Sequence, residues 1–207
     1  MFWLARIAQE AAKAHCDKHI VKMPLEATQL LYTAQWLRHG DDESWRDAAP
    51  LTKTGSRGYG VTHKNHPVAL WVRQSPQHYE RACVLGLALC REYSERYGRR
   101  HACEDHLEFL RENPPPFEPH EGQLDLPPPQ CMPEEFRVAD SASSSSWDAV
   151  IQAYRAYYLG SKADIAKWAH SEPPQWWVKQ PTKARRTRQA ATVEAPAQPP
   201  RKRVRRS

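Results

Sequence analysis

The sequence predicts a mainly helical protein, with one globular domain followed by a basic tail. A length of 207 residues favours a single domain. Apolar residues make up 40% of the chain, with eight Trp and eight Tyr, which is enough to form a core. Glycine is scarce, proline is frequent and no strand-like alternation of apolar residues recurs. We therefore expect a compact helical domain over residues 1–178 with proline-rich loops, and a disordered tail over 179–207.

The first helix is expected to contain the segment AHCDKHIVKMPLEATQLL and to run to about His39. Pro24 lies inside it. Because proline removes a backbone donor and disfavours helix at the preceding residue, we expect a kink or a fresh helix start there. Beyond the proline, Leu30, Thr33 and Leu37 share one face.

The second helix has the clearest boundaries. Ser75 is a suitable N-cap, Pro76 suits the first helical position, and Gly98 is typical of a C-cap. Apolar residues follow a spacing of three and four between these ends. Cys83 and Cys90 lie two turns apart on this face, about 10 Å along the axis, so they cannot bridge each other and are expected to be core thiols.

Two further helices and a long loop complete the predicted domain. A short helix is expected over residues 103–112, and a capped helix is expected to begin after Ser146 and to close near the segment PPQWW. Between them, the segment NPPPFEPHEGQLDLPPPQCMPEEF predicts an extended loop with polyproline character. Apolar residues within the loop favour docking against the surface of the domain. We expect Trp176 and Trp177 to hold the last segment on the core, rather than to stack on bases.

The sequence excludes several classes of protein. No run approaches the eighteen apolar residues that a membrane span needs, and the N-terminus does not resemble a signal peptide. The cysteine count of five is odd and no secretory signal is recognisable, so we expect reduced thiols and a cytoplasmic location. Because the cysteines form no CxxC pair, we expect no structural zinc site, and no cofactor is expected either.

The positive charge is concentrated in the tail. The whole chain has a formal net charge of +6, whereas residues 179–207 contain ten Lys or Arg and one acid, so residues 1–178 carry about −3. Basic segments bind polyanions through charge alone, which favours contact with double-stranded DNA over a solubilising role. The predicted contacts in the tail are Arg185, Arg186, Arg201, Lys202 and Arg203.

A stripe of chemically active side chains is predicted on the first helix. His15, His19, Lys22 and Glu26 have helical spacing, and Lys18 lies beside them. A base, an acid and an ammonium on one face can move protons or hold a phosphate. The alternatives are a solvated face with a Lys22–Glu26 pair, and a metal site at the HxxxH pair, which has no obvious third ligand.

A second candidate site lies in the segment LTKTGSRGYGVTHKNHPVALWVRQ. Its glycines and cations can follow a chain of phosphates, and an amide or imidazole can contact a base edge. The alternative is a surface loop ended by an Asn-His-Pro turn. The residues expected to bind DNA here are Lys53, Arg57, Lys64, Asn65, His66 and Arg73.

Several segments, in this order, resemble a family of small phage proteins: HCDKHIVKMPLEATQLLYTA, THKNHPVALWVRQS, ALCREYSERYGRRH, PPPQCMPEEF and DAVIQAYRAYYLGSKADIAKWAHSEPPQWW. That family in turn is similar to the phage pyrimidine-dimer DNA glycosylases of the endonuclease V type. The resemblance covers about residues 13–177 and excludes the tail. It implies a compact helical fold that grips kinked duplex DNA and flips a nucleotide out of the stack.

The resemblance also implies a catalytic glutamate on a helix, for which Glu26 is the best match. In those glycosylases the α-amine of a small second residue, freed by removal of the initiator Met, forms a Schiff base with the sugar. This chain departs from that pattern, because it begins Met1-Phe2-Trp3 and a bulky second residue usually keeps the initiator Met in place.

The departure favours group transfer over excision. Some phages phosphorylate 5-hydroxymethyluracil in DNA and displace the phosphate with an amino acid, and small helical phage proteins are assigned to that transfer. We therefore expect the hypermodification of a thymine-derived base in the infected bacterial cell, with duplex DNA and a free amino acid as substrates. Glu26 would be the base, Lys18 and Lys22 would neutralise phosphate, and His15 or His19 would orient groups or shuttle a proton.

Two alternatives to transfer stay open. One is a glycosylase in which Glu26 is the catalytic acid or base and an amine elsewhere, such as that of Lys22, is the nucleophile. The other is a non-catalytic protein held on DNA by its basic tail.

Overall fold

The computed structural model describes residues 1–118, 126–138 and 146–178, and confirms a mainly helical fold. Within these ranges no strand is present, and the only bridge pairs Leu51 with Arg57. Short 3₁₀ turns occur at Ser44–Ala48 and Glu134–Phe136. The six helices are α1 (Ala8–Ala14), α2 (Asp17–His39), α3 (Pro67–Val72), α4 (Pro76–Tyr97), α5 (Glu104–Glu112) and α6 (Trp147–Ser161).

Helix α4 lies at the centre of the domain and packs against α1, α2, α3 and α5. Its predicted ends are confirmed. The Ser75 side chain accepts a hydrogen bond from His78 N at 3.2 Å, and Gly98 adopts a left-handed conformation with φ of 66°. Cys83 and Cys90 are fully buried core thiols, as predicted.

Helix α2 runs without interruption through Pro24, so no new helix starts there. The proline is buried, and its carbonyl oxygen accepts a hydrogen bond from Thr28 Oγ1 at 2.8 Å. The predicted end at His39 is confirmed. Leu30 and Thr33 are buried, whereas Leu37, nearer the end of the same helix, is 41% exposed.

The sequence did not indicate α1 and α3 as separate helices. Helix α1 has seven residues and ends at Ala14, and the chain turns there before α2 begins. Helix α3 lies inside the segment interpreted as a loop, where His66 caps it and Pro67 occupies its first turn. Helix α6 ends at Ser161, well before the two tryptophans of PPQWW, which nevertheless pack against the core as expected.

The N-terminal segment is built into the core. Trp3 and Leu4 are buried, and the Trp3 ring meets the rings of Trp71 and Trp147 at centroid distances of 5.4 and 5.7 Å. Arg155 Nε of α6 donates a hydrogen bond to Leu4 O at 2.8 Å. Chain termini are usually poorly ordered unless they are tied down, so these contacts fix the position of the first residues.

A buried arginine joins α4 to the junction of α1 and α2. Arg96 Nε donates to Glu92 at 2.7 Å, and Nη1 contacts Asp17 at 3.1 Å and the carbonyl of His15 at 2.9 Å. Its Nη2 donates to Lys13 O at 3.0 Å. Because a buried guanidinium must be paired, this network fixes the path of the chain into α2.

The described part of the proline-rich loop docks on α6 and α3. Met132 is buried, and Tyr154 OH donates a hydrogen bond to Pro129 O at 2.8 Å. The Phe136 ring lies against Gly160, where a Cβ would approach Phe136 Cζ to 2.7 Å. The predicted docking is thus confirmed for Met132 and Phe136, whereas the Leu126 side chain is 47% exposed and residues 119–125 lie outside the described residues.

Candidate functional site

Glu26 forms the centre of the candidate site, because its carboxylate holds two primary ammonium groups. The α-nitrogen of Met1 lies 3.1 Å from Oε2, and Lys22 Nζ lies 3.0 Å from Oε1. The Glu26 side chain is 32% exposed. The Lys22–Glu26 pair, which the sequence suggested as part of a solvated face, is therefore present. It belongs to a cluster of three charged groups, because Met1, 25 positions away in sequence, also contacts Glu26.

The electrostatics of this cluster keep the carboxylate ionised. Partial burial raises the pKa of the Glu26 carboxyl. The nearby α-ammonium and the hydrogen bonds from Lys22 and the chain terminus outweigh that effect and bring the pKa below its ordinary value. At neutral pH the group is thus ionised and accepts hydrogen bonds from both ammonium groups.

The first two side chains position the α-amine. The Met1 side chain is fully buried, so the partial exposure of this residue belongs to its main-chain atoms. The Phe2 ring stacks on the His19 ring at a centroid distance of 4.7 Å and meets the Tyr158 ring edge-on at 5.4 Å. Both contacts hold the amine beside Glu26.

His15 and His19 lie beneath this surface. His15 Nδ1 donates to Ala11 O at 2.6 Å, which leaves Nε2 as an unprotonated, buried nitrogen with no partner in the described residues. His19 Nδ1 is hydrogen-bonded to the hydroxyl of Tyr158. Burial lowers the pKa of His15 to about 3. Burial and the charge of Lys162 lower the pKa of His19 to about 4, so both rings are neutral at pH 7.

The segment KNHP leads into helix α3, which packs against α2, the helix that carries Glu26. His66 Nδ1 accepts a hydrogen bond from Val68 N at 3.2 Å, so the neutral ring carries its proton on Nε2. Partial burial and the positive charge of the α-ammonium lower the pKa of His66, while Glu26 opposes them. The α-ammonium and Glu26 thus both act electrostatically on His66, which connects two regions that the sequence singled out separately.

The other predicted DNA-binding residues of the loop divide into two groups. Lys53, Lys64 and Asn65 are exposed. Arg57 Nη1 instead donates to Ala49 O at 2.9 Å, and Arg73 Nη1 donates to Lys64 O at 2.6 Å, so both guanidinium groups help to hold the loop. On α2, Lys18 is exposed one turn before Lys22. The predicted tail contacts Arg185, Arg186, Arg201, Lys202 and Arg203 lie outside the described residues.

An open cleft of about 600 Å³ lies beside the centre, between α3, α6 and the docked proline-rich loop. The Phe2 ring lies 6.1 Å, between centroids, from the ring of Tyr157, which lines the cleft, so the cleft borders the anchored N-terminal segment. Burial raises the pKa of the Cys131 thiol, and the α-ammonium opposes that rise. The volume is in the range of small-molecule sites. The lining residues are His66, Pro67, Pro129, Gln130, Cys131, Met132, Pro133, Arg137 and Tyr157.

Sequence reasoning missed several residues of the site. Met1 and Phe2 had no recognisable spacing to Glu26, although the apolar start MFW was a signal that the terminus is buried. Lys162 lies 4.6 Å from the centroid of the Tyr157 ring and lowers the pKa of His19. It gave no signal of its own, because a lysine after a helix is common in any soluble protein.

Comparisons with models of known protein families, with curated proteins and with solved structures gave no match. In the three described ranges, no group of three or more His, Cys, Asp or Glu side chains is arranged to hold a metal ion. No helix in those ranges is both long and apolar enough to cross a membrane. The fold and site therefore define a mainly helical protein with an amine–carboxylate centre at an open cleft.

Proposed function

We propose that this protein is an enzyme that acts on a thymine-derived base flipped out of duplex DNA, through a primary amine that Glu26 controls. The observation that carries the proposal is the partly exposed carboxylate of Glu26, held 3.1 Å from the α-nitrogen of Met1 and 3.0 Å from Lys22 Nζ. An amine attacks carbon only after it loses a proton. A carboxylate within hydrogen-bond reach can accept that proton and later return it.

Two features support DNA as the substrate. The exposed Lys53 and Lys64 flank the segment that leads to His66, and the charges of the α-ammonium and of Glu26 act on His66. Cations of this kind position a phosphate chain without reading its sequence. The cleft of about 600 Å³ also has room for one nucleotide, and a base inside a duplex must leave the stack before an enzyme can react with it.

Group transfer is the first chemistry that this centre supports. The nitrogen of a free amino acid would attack the methylene carbon of a phosphorylated 5-hydroxymethyluracil. The carbon–oxygen bond would break, the phosphate would leave with the electron pair, and the amine would lose its proton to Glu26. Lys22, whose side chain is 68% exposed, supports this route because it can neutralise the departing phosphate. The pairing with Met1 supports it too, because it shows Glu26 accepting a primary ammonium.

Excision is the second candidate, and the position of Met1 favours it. The α-amine would attack C1′ of the deoxyribose, the base would leave with the electron pair of the glycosidic bond, and the nitrogen would lose a proton. The C1′–O4′ bond would then break, with O4′ taking the electron pair and a proton, and the nitrogen lone pair would form the protonated imine to C1′. The bulky Phe2 counts against this route only if a small second residue must supply the amine. That condition does not apply to the Met1 amine, because the nitrogen of Met1 itself lies 3.1 Å from Glu26 Oε2.

The decisive substitution is Glu26→Gln, with Glu95→Gln as the control on an exposed glutamate. Nucleoside mass spectrometry after incubation with phosphorylated hydroxymethyluracil DNA and amino acids measures transfer. We expect Glu26→Gln to reduce product at least a hundredfold and Glu95→Gln to leave it unchanged. If Glu26→Gln leaves nucleosides and DNA products unaltered, the protein is a non-catalytic DNA binder.

Excision has its own measurement. Borohydride reduction on damaged or abasic duplex DNA should trap a covalent adduct, and peptide mapping should locate it on the Met1 nitrogen, with Lys22 as the alternative nucleophile. The intact mass of the same sample shows whether Met1 is the first residue. Absence of an adduct on every such substrate would exclude the imine route and leave transfer.

A further inference from the structure

Arg137 presents an unused guanidinium edge to the cleft. Its Nε donates a hydrogen bond to Met132 O at 2.8 Å, and within the described residues its two terminal nitrogens have no partner. Arg137 is one of the residues that line the cleft, and its charge acts on the thiol of Cys131, which lines the same cleft. Glu134 and Glu135 precede it on the 3₁₀ turn but form no ion pair with it in the described ranges.

The backbone that carries Arg137 is fixed at both ends of its loop. Gln130 Oε1 accepts a hydrogen bond from Val138 N at 2.8 Å, which closes the loop on itself. The Phe136 ring contacts Gly160 on α6 so closely that a single added carbon would clash. Because the Nε contact also fixes the plane of the guanidinium, little side-chain entropy is lost when a ligand binds.

His66 supplies a second donor to the same cleft. Since its Nδ1 accepts from Val68 N, its Nε2 carries a proton, and His66 is one of the residues that line the cleft. A neutral imidazole N–H and a guanidinium fork are both donors only, so they match an oxyanion and not a cation.

We propose that this cleft is a binding site for a phosphoryl group, held by Arg137 in a bidentate contact and by His66 Nε2. This phosphoryl site depends on the proposed function in one respect, the identity of the substrate. The flipped nucleotide would carry the phosphate into the cleft. Two sources have the required chemistry: a phosphate ester on the flipped base, and the backbone phosphate of the flipped nucleotide. The first makes the cleft the site of the leaving group, and the second makes it a grip on the strand.

Calorimetric titration of the full chain with three probes separates these sources. The probes are inorganic phosphate, 5-phosphohydroxymethyl-2′-deoxyuridine and thymidine 5′-monophosphate. All three should bind. Tighter binding of the base phosphate assigns the site to the leaving group, and tighter binding of the sugar phosphate assigns it to the backbone. No binding of any probe at millimolar concentration would overturn the proposal.

Three variants test the residues. Arg137→Gln should weaken each phosphate probe at least tenfold, because it removes the charge and the fork. His66→Asn keeps an N-cap for α3 but removes the Nε2 donor, so a severalfold loss is expected. Arg91→Gln removes an exposed charge outside the cleft and should change affinity less than twofold. Equal losses in Arg137→Gln and Arg91→Gln would show non-specific attraction and overturn the proposal.

The outcome is separable from that of the proposed function. Glu26→Gln should still bind phosphate, because Glu26 does not line the cleft. If Glu26→Gln removes product while Arg137→Gln binds phosphate like the wild type, only the phosphoryl site fails. If Arg137→Gln loses binding while Glu26→Gln changes no product, only the enzymatic proposal fails.

Discussion

At the scale of single residues, His15 and His19 link burial to the stability of the site. Both rings are neutral in the folded protein, because burial lowers their pKa values to about 3 and about 4. In the unfolded chain they bind protons near pH 6.5. The stability that this difference contributes is fully present above that pH and is lost as the pH falls towards the folded-state values.

We predict that the free energy of unfolding decreases with acidity between about pH 6.5 and pH 4. Each of these histidines contributes a slope of up to about 1.4 kcal/mol per pH unit. His15→Asn should reduce the slope, because asparagine can still donate to Ala11 O but does not titrate in this range. Urea unfolding at several pH values measures this, with the exposed His170→Asn as control. An unchanged slope in His15→Asn would contradict the assignment.

The centre of the site could be predicted from the sequence only in part. The spacing of Lys22 and Glu26 on one helix was sufficient to predict their contact, because i and i+4 residues are neighbours. Met1 could not be placed, since its contact with Glu26 depends on how the terminus enters the core. The predicted stripe was wrong for His15, which lies at the turn between α1 and α2 and not on the helix that carries His19. The burial of both rings was also hidden, because helical spacing does not show which neighbour covers a side chain.

At the scale of secondary-structure elements, the helix ends with strong local signals were predicted well. Ser75, Gly98 and Ser146 are caps in the structure, as their residue types indicate. The two short helices were missed, because seven and six residues provide less than two turns of periodicity. Pro24 does not start a new helix, since burial of α2 on both sides of the proline outweighs the lost backbone hydrogen bond.

The contact between Gly160 and Phe136 gives a prediction for the docked loop. Alanine normally stabilises a helix interior relative to glycine by up to about 1 kcal/mol. Gly160→Ala should instead destabilise by roughly 1–3 kcal/mol, because its Cβ would lie 2.7 Å from Phe136 Cζ and displace the turn that precedes Arg137. Thermal unfolding measures the change.

Two matched variants make this prediction specific. Gly60→Ala places its Cβ in open space and should have little effect. The double variant Gly160→Ala with Phe136→Leu should recover part of the stability, because the smaller side chain makes room. A stabilised Gly160→Ala would show that the loop does not depend on this contact.

At the scale of the whole molecule, the net positive charge and the candidate site lie in different parts of the chain. Residues 1–178 carry about −3, although they contain the candidate site, whereas the net positive charge comes from residues 179–207. A basic segment of this kind increases affinity for any duplex and contributes no choice of base. Changes in the basic segment should therefore alter the affinity for DNA, whereas changes in the candidate site should alter the amount of nucleoside product.

Truncation after Val178 tests this separation. We expect weaker binding to duplex DNA and a shallower slope of log K against log salt concentration. The slope should fall by roughly 0.9 for each phosphate that the tail no longer neutralises. Nucleoside product at low salt and saturating DNA should persist. Fluorescence anisotropy across a salt series gives the slope, and an unchanged slope would exclude the tail from the interface.

The anchored terminus also determines how the protein can be handled. Any residue fused before Met1 converts its amine into a neutral amide, which neither carries the charge paired with Glu26 nor attacks carbon. The added chain would also have to leave through the contacts of the buried Met1 side chain and of Phe2 on His19. An affinity tag therefore belongs at the C-terminus. A sample purified through an N-terminal fusion can be folded and yet lack the amine that the proposed imine route needs.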